Sequence, residues 1–204
     1  MIVGAVVLAA GKSERMWQNK LLLCLNGKTL IENVLDGLAA VEVNEQVIVL
    51  GYKLEDIIEV IKPRLGRLKV ALNVNYEAGM TSSFQTGLQV LPKVDAAFLV
   101  LGDEPIFEPN VLKLMVEKME NSQGQALIVR PIHKGKKGHP LLFHSQLFME
   151  IMTLKNPETI RDIVHRHADR LLTLEAPQWT IMDIDTPQDY ARLSSLTKTG
   201  NRVP

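Results

Sequence analysis

The chain has a single cysteine and no excess of charge of either sign. Because Cys24 has no second cysteine to pair with, a disulfide within the chain is excluded, and a zinc site built from cysteines is not expected. Lysine plus arginine and aspartate plus glutamate both number 23. This balance argues against a general nucleic-acid binder, since such proteins usually carry a basic excess. No run of about 18 apolar residues is present, so no membrane-spanning segment is predicted.

The first residues favour a buried strand over a targeting segment. Ile2–Leu8 is apolar, no basic residue precedes it, and a glycine-containing loop follows it, which is not the pattern of a signal peptide. Together with the lone cysteine, this predicts a cytoplasmic protein. A length of 204 residues and an apolar fraction of 46% are typical of a globular protein with one folded domain.

Short apolar runs alternate with longer amphipathic stretches along the first two thirds of the chain. Strands are predicted at Ile2–Leu8, Glu45–Leu50, Lys69–Asn73, Ala96–Leu101 and Ala126–Pro131. Helices are predicted at Thr29–Ala40, Leu54–Ile61 and Thr81–Leu91, with a further one capped by Asn110 and running to Met119. This alternation predicts an α/β fold, with a Rossmann-like, mostly parallel sheet covered by helices on both faces.

The alternation loosens after residue 131. A loop at His133–Gly138 precedes a predicted short strand Leu141–Phe143, helices near Ser145–Met152 and Glu158–His165, a last strand near Thr180–Asp183, and a closing helix Pro187–Leu196. No internal repeat or low-complexity linker interrupts the chain. We therefore expect one domain over residues 1–197, followed by a polar tail at 198–204.

The loop after the first strand suggests a binding site for a phosphorylated ligand. Leu8, Ala9, Ala10 and Gly11 are small or apolar, and Lys12, Arg15 and Lys20 follow them. In an open α/β sheet, ligands bind beyond the carboxyl ends of the strands, where small residues let backbone N–H groups approach a phosphate. A Walker A loop is excluded because position 6 is Val, and no G-x-G-x-x-G is present. The alternative is an ordinary glycine-containing turn with solvated lysines.

Two aspartates follow predicted strands in positions suited to a metal. Asp103 lies in Gly-Asp-Glu-Pro directly after a buried strand, and Asp185 lies in Asp-Ile-Asp-Thr-Pro near the end of the chain. A carboxylate at a strand tip beside phosphates is a typical Mg²⁺ ligand. The alternative for Asp103 is a turn-forming role, and that for the Asp185 segment is a helix start at Pro187.

The sequence resembles the MobA-like nucleotidyltransferases, and most closely their molybdenum cofactor cytidylyltransferase branch. The resemblance rests on Leu-Ala-Ala-Gly-x-Ser-x-Arg-Met…Lys in the first loop, Asn73…Gly79-Met-x-x-Ser83, Gly-Asp-x-Pro, Gly-His139-Pro and Asp-Ile-Asp-Thr-Pro. It runs through almost the whole chain. Two departures are Trp17, where the family usually has Gly, and Val74, where it usually has Pro.

The resemblance implies roles for individual residues. The fold would be of the nucleotide-diphospho-sugar transferase type, with an NTP-binding half at 1–105 and an acceptor-binding half at 106–197. Arg15, Lys20 and Asp103 would be catalytic, and Mg²⁺ would be the cofactor. The metal ligands would be Asp103 and Asp185. The remaining binding residues would be Leu8, Ala9, Ala10, Gly11, Asn73, Gly79, Ser82, Ser83 and His139. Thr81, Ser82 or Ser83 can also cap a helix, and His139 either lines the acceptor pocket or fixes its loop.

The implied reaction transfers CMP from CTP to the terminal phosphate of a molybdopterin-type acceptor and releases pyrophosphate. CTP is favoured over GTP because Ala10 replaces the glycine typical of the guanylyl branch. A molybdenum hydroxylase would be the partner, and neither nucleic acid nor membrane is expected. Two alternatives stay open: a nucleotidyltransferase acting on GTP or on a sugar phosphate, and a non-catalytic maturation partner that carries a molybdenum cofactor.

Overall fold

The computed structural model describes residues 1–16, 18–41, 43–106 and 108–198. Its strands are β1 Val3–Ala9, β2 Cys24–Leu25, β3 Lys28–Thr29, β4 Glu45–Leu50, β5 Lys69–Leu72, β6 Ala96–Leu101, β7 Ile128–His133, β8 Lys136–Lys137, β9 Leu141–His144 and β10 Leu171–Glu175. Its α-helices are α1 Leu30–Ala39, α2 Leu54–Ile61, α3 Met80–Val90, α4 Asn110–Asn121, α5 Phe148–Thr153, α6 Ile160–Arg166 and α7 Pro187–Lys198.

One mostly parallel sheet forms the centre of the protein. Its strand order is β10-β7-β9-β6-β1-β4-β5, and β8 pairs with β7 outside this path. β1 pairs in parallel with both β4 and β6, so that the buried first strand lies inside the sheet. β9 runs antiparallel to both of its neighbours, β6 and β7. The predicted fold class is therefore confirmed.

Side chains of alternate residues in the central strands pack into two hydrophobic cores on opposite faces of the sheet. Ala5 and Val7 of β1 pack in a cluster with α1, α2 and α4, whereas Val6 packs in a cluster with α3, α5 and α6. Side chains of successive strand residues point to opposite faces, so a strand covered on both faces is apolar throughout. This explains why β1 and β6 are nearly continuous apolar runs.

A short hairpin before α1 is absent from the predicted elements. β2 and β3 pair antiparallel around Asn26 and Gly27, which both have positive φ, at 55° and 83°. Asn-Gly with two positive φ angles is the turn that suits a two-residue hairpin, so the signal was present in the sequence. The hairpin leads directly into the capping box of Thr29 and Glu32 at the start of α1.

Two predicted local features are wrong. The predicted strand near Thr180–Asp183 is not formed, because Gln178–Ile181 is a short 3-10 helix that buries Trp179 and Thr180. The strand of this region is β10, which lies at the edge of the sheet beside β7. Asn110 is the first residue of α4 and not its cap, a position taken by Pro109.

The chain ends in a longer helix than predicted. α7 continues to Lys198, two residues beyond its predicted end at Leu196. Lys198 is therefore helical where the polar tail was expected to begin, and 199–204 lie outside the described residues. Within the described ranges, no helix is both long and apolar enough to cross a membrane. The remaining element boundaries agree with the predicted ones to within a few residues.

Candidate functional site at the carboxyl ends of β1 and β6

A cavity of about 520 Å³ opens where β1 and β6 end. The loop after β1 forms one wall, with Ala9, Ala10 and Gly11 at its surface. A Cβ built on Gly11 would meet no described atom within 4 Å, so the backbone there is open to the cavity. Ala10 is itself buried, and its methyl group faces the close-packed backbone of Gly51. The wall therefore presents main-chain groups to a ligand.

Local hydrogen bonds hold the end of this loop in place. Ser13 has a positive φ of 54°, and its Oγ accepts a hydrogen bond of 3.2 Å from the backbone N–H of Lys20. The side chain of Asn19 accepts a hydrogen bond from the backbone N–H of Leu21 and so caps the short helix Lys20–Leu22. These contacts fix the backbone from which the Lys20 side chain extends.

Lys20 bridges the two aspartates predicted to bind a metal. Its Nζ lies 2.9 Å from Oδ1 of Asp185 and also forms an ion pair with Oδ2 of Asp103. Burial by itself lowers the pKa of Lys20, but the charges and hydrogen bonds of the two carboxylates outweigh it and raise that pKa. The structure thus brings together two aspartates that are far apart in the sequence, around one positive charge.

Further cations line the mouth of the cavity. Arg15 Nη2 lies 2.7 Å from Oδ2 of Asp185, and Lys12 pairs with Glu77 beside the ring of Tyr76. These side chains surround an adjoining opening of about 560 Å³. Clustered lysine and arginine side chains next to accessible backbone N–H groups suit a polyphosphate.

The segment before α3 closes another wall of the cavity. Gly79 has a φ of 93°, which favours glycine, and its position immediately before Met80 makes it the N-cap of α3. Ser82 and Ser83 lie in the first turn of the helix, so the prediction that they or Thr81 cap it is wrong. The buried Asn73 donates hydrogen bonds of 3.0 Å to both serine hydroxyls.

A third wall comes from the loop before β9. Gly138 fits tightly against Thr180, since a Cβ there would come within 2.4 Å of the Thr180 carbonyl oxygen. The backbone N–H of His139 donates a hydrogen bond of 2.8 Å to that same oxygen. This contact ties the loop to the segment that carries Asp183 and Asp185.

The side chain of His139 faces a buried carboxyl group. Its Nδ1 lies 3.3 Å from Oε1 of Glu104, whose side chain is 4% exposed. Burial, a hydrogen bond with Asp183 and the charge of Asp103 raise the pKa of Glu104 well above its usual value. Burial also lowers the pKa of His139. Both groups are therefore held toward their neutral forms.

Most of the predicted site residues meet in this cavity. It is lined by Leu8, Ala9, Ala10, Gly11, Arg15, Lys20, Gly79, Ser83, Asp103, His139 and Asp185. Two predicted binding residues, Asn73 and Ser82, do not belong to its described lining; the side-chain amide of Asn73 donates a hydrogen bond to the Ser82 hydroxyl. Trp17 lies outside the described residues.

Several lining residues were not predicted as site residues. They include Ser13, Tyr76, Glu104, Arg161 and Asp183. Glu104 and Asp183 each stand close to a predicted aspartate, so their proximity to the site could have been inferred. The position of Arg161 depends on how α6 packs against the sheet, which no local pattern reveals.

The two aspartates fit a divalent cation that is shared with a substrate. No group of three or more histidine, cysteine, aspartate or glutamate residues suited to a metal is found among the described residues. Asp103 and Asp185 nevertheless converge on a single cation, the Lys20 ammonium. Mg²⁺ is commonly held by one or two carboxylates together with substrate phosphates and water. The donor set therefore suits Mg²⁺ bound with a nucleotide, and the metal-binding role stays a prediction.

A mostly parallel α/β sheet with clustered basic side chains and paired carboxylates at its carboxyl edge has the arrangement of a nucleotide-binding enzyme. The chain belongs to the family described as the MobA-like NTP transferase domain, whose family model matches residues 5–171. The predicted family is thereby confirmed.

Named relatives agree with this family. The molybdenum cofactor cytidylyltransferase of Escherichia coli (strain K12) is 23% identical over 92% of this chain and 93% of its own length. The bifunctional protein GlmU of Staphylococcus haemolyticus is 30% identical over 61% of this chain, but the match spans only 28% of that protein. A nucleotidyl transferase from Methanothermobacter has the same fold, with a TM-score of 0.83, 22% identity, and coverage of 98% of this chain and 99% of its own.

Proposed function

We propose that the protein transfers CMP from CTP to the terminal phosphate of a molybdopterin-type acceptor and releases pyrophosphate. The observation that carries the proposal is the charged cluster at the mouth of the β1 loop. There, Arg15 and Lys20 converge on Asp103 and Asp185 beside open backbone. The similarity to the cytidylyltransferase over nearly the full length of both chains supports the choice of acceptor.

The reaction requires little proton transfer by the protein. A phosphate oxygen of the acceptor forms a bond to the α-phosphorus of CTP, and the bond from that phosphorus to the bridging oxygen of pyrophosphate breaks. The attacking oxygen is already anionic, so positioning and neutralisation of charge dominate the rate. Arg15 and Lys20 bind the phosphates and stabilise the negative charge that develops on the departing pyrophosphate.

Asp103 and Asp185 are the residues that would hold Mg²⁺. When bound, Mg²⁺ neutralises negative charge on the triphosphate and orients it. The Lys20 ammonium lies between the same two carboxylates and neutralises their charge. A bound triphosphate would give Lys20 new anionic partners, so the oxygens of Asp103 and Asp185 would then be available to Mg²⁺.

A sugar-phosphate acceptor is the second candidate. The two reactions share the triphosphate loop and differ in the acceptor. They are therefore separated by the acceptor used and not by nucleotide binding.

The test is a panel of nucleotides and acceptors. CTP, GTP and UTP are each incubated with Mg²⁺ and with molybdopterin-type cofactor, glucosamine 1-phosphate or no acceptor, and pyrophosphate release is measured. We expect release with CTP and the molybdopterin-type cofactor. Release only with the sugar phosphate would replace the proposed acceptor, and a preference for GTP would replace the proposed donor.

Two matched variants test the aspartates. Asp103→Asn and Asp185→Asn should each lower kcat at least about a hundredfold, as expected for loss of a charged group that acts on the transition state. Asp56→Asn removes an exposed carboxylate near the start of α2 and serves as the control. Full activity of either site variant would contradict the assignment.

A further inference from the structure

A second cavity, of about 400 Å³, lies directly beside the nucleotide cavity. It is bounded by β7, the loop before β9, and α6. Met80, His139 and Arg161 line both cavities, so the two share a boundary. A molecule that reacts in the first cavity can therefore extend into the second.

The second cavity is positively charged. Arg130, Lys137, Arg161 and His165 line it, and no aspartate or glutamate belongs to its described lining. We refer to Arg130, Lys137 and Arg161 as the arginine subsite. Because the whole chain has a net charge of zero, this concentration of positive charge is a local feature and not a consequence of composition.

The two arginines of this subsite have no protein counter-ion. Within the described ranges, neither the Arg130 nor the Arg161 guanidinium forms an ion pair or a side-chain hydrogen bond, and the Arg130 Nε atom is buried without a partner. By contrast, Arg64 and Arg166 each pair with two carboxylates. A buried donor without a partner destabilises the protein, and more so when it is charged.

Burial and a neighbouring like charge both disfavour the charged form of Arg130. Burial lowers the pKa of Arg130, and the charge of Arg161 lowers it further. Like charges without a counter-ion repel each other, and this repulsion is relieved when an anion binds between them. The remaining lining includes Leu99, Leu141 and Ile160. The cavity therefore suits a molecule with an apolar body and an oxyanion.

The alternative explanation for these basic residues is an ordinary solvent-exposed surface without a ligand. Lys137, Arg161 and His165 are exposed and fit that explanation. Arg130 does not, because its Nε is shielded from solvent and unpartnered. The Arg130 residue as a whole is half-buried on β7, and its shielded Nε donor is unfavourable unless a ligand supplies an acceptor.

We propose that the arginine subsite binds an oxyanionic group of the acceptor while the nucleotide occupies the neighbouring cavity. This inference rests on the proposed function, because it locates the acceptor of that reaction in the second cavity. It also narrows the acceptor class to small organic oxyanions that place negative charge against Arg130 and Arg161.

The direct test is anion binding in the presence of a nucleotide. The full chain is saturated with Mg²⁺ and a non-hydrolysable CTP analogue, and binding of inorganic phosphate is measured by calorimetry. Arg161→Gln and Arg130→Gln should each weaken phosphate binding roughly tenfold or more, since each removes charge-assisted hydrogen bonds. Arg67→Gln removes the same charge from an exposed position outside both cavities and should leave binding unchanged.

The possible results distinguish a failure of the anion subsite from a failure of the proposed CMP transfer. Unchanged phosphate affinity in Arg161→Gln, which alters an exposed side chain and should not affect folding, overturns the inference even if CMP transfer is observed. If the CTP analogue does not bind, the proposed function fails, and phosphate titration of the nucleotide-free protein still tests the subsite. In steady-state assays, phosphate should compete with the acceptor. Inhibition that acceptor cannot relieve would identify a separate anion site and overturn the assignment.

Discussion

Replacing Lys20 by methionine tests the central charge cluster. The substitution keeps most of the apolar side-chain length and removes the ammonium that neutralises Asp103 and Asp185. The Lys20 and Asp103 side chains are 18% and 17% exposed, so the contact is largely shielded from water. Breaking a fully buried ion pair costs about 3–5 kcal/mol. Because this cluster retains some solvent contact, we expect a loss of about 1–3 kcal/mol.

The assay is thermal unfolding with and without Mg²⁺. For a chain of this size, each kcal/mol lowers Tm by roughly 2–4 °C. Lys28→Met is the matched control. Lys28 pairs with Asp36 at 2.6 Å but is 55% exposed, so its loss should cost less than about 1 kcal/mol. Mg²⁺ should raise the Tm of Lys20→Met more than that of wild type, because two carboxylates are left without a cation. A variant as stable as wild type, with no greater response to Mg²⁺, would refute the reasoning.

Three further predictions concern packing, pH and base choice. Gly138→Ala places a Cβ 2.4 Å from the Thr180 carbonyl oxygen. It should lower the free energy of unfolding, measured in urea, by about 1–3 kcal/mol and should also lower kcat. Gly66→Ala is the control and should change neither quantity, because a Cβ at Gly66 meets no described atom within 4 Å. Burial raises the pKa of Asp36, but hydrogen bonds from basic neighbours outweigh it and leave that pKa below its ordinary value of 3.8. The ionised Asp36 therefore contributes its full stabilisation above pH 3.8, and this contribution is lost as the pH falls through the lower pKa of the folded state. Asp36→Asn should make the free energy of unfolding depend less on pH in acid. An unchanged pH dependence would show that Asp36 is not its source. Ala10→Gly should reduce the ratio of kcat/KM for CTP over GTP by less than about tenfold, because one methyl group contributes about 1 kcal/mol; an unaltered ratio would show that base choice resides elsewhere.

The central strands and the loop after β1 follow from local patterns in the sequence. The apolar runs of β1 and β6 are long enough to identify central strands, and the residues after them must then lie at one edge. This reasoning predicts that Lys20 and Asp103 both lie at the carboxyl edge of the sheet. Asp185 is harder to place, because it follows a 3-10 helix and not a strand. Its position was implied by the family resemblance.

Other features depend on contacts between distant segments. Glu104 is adjacent to a predicted ligand, yet its burial is set by the way His139 and Asp183 pack over it. The unpartnered Nε of Arg130 likewise depends on the fold, because β7 and α6 come from distant segments and border the same cavity. Alternation patterns report which face a residue occupies, but they do not report which side chains from other elements surround it.

The antiparallel direction of β9 explains why two loops of different kinds meet at the cavity. Because β9 runs against β6, it starts at the edge where β6 ends, and its preceding loop brings His139 to the cavity. β1 runs parallel to β6, so the loop that follows β1 reaches the same edge. A loop that leaves one strand and a loop that enters another therefore line a single cavity.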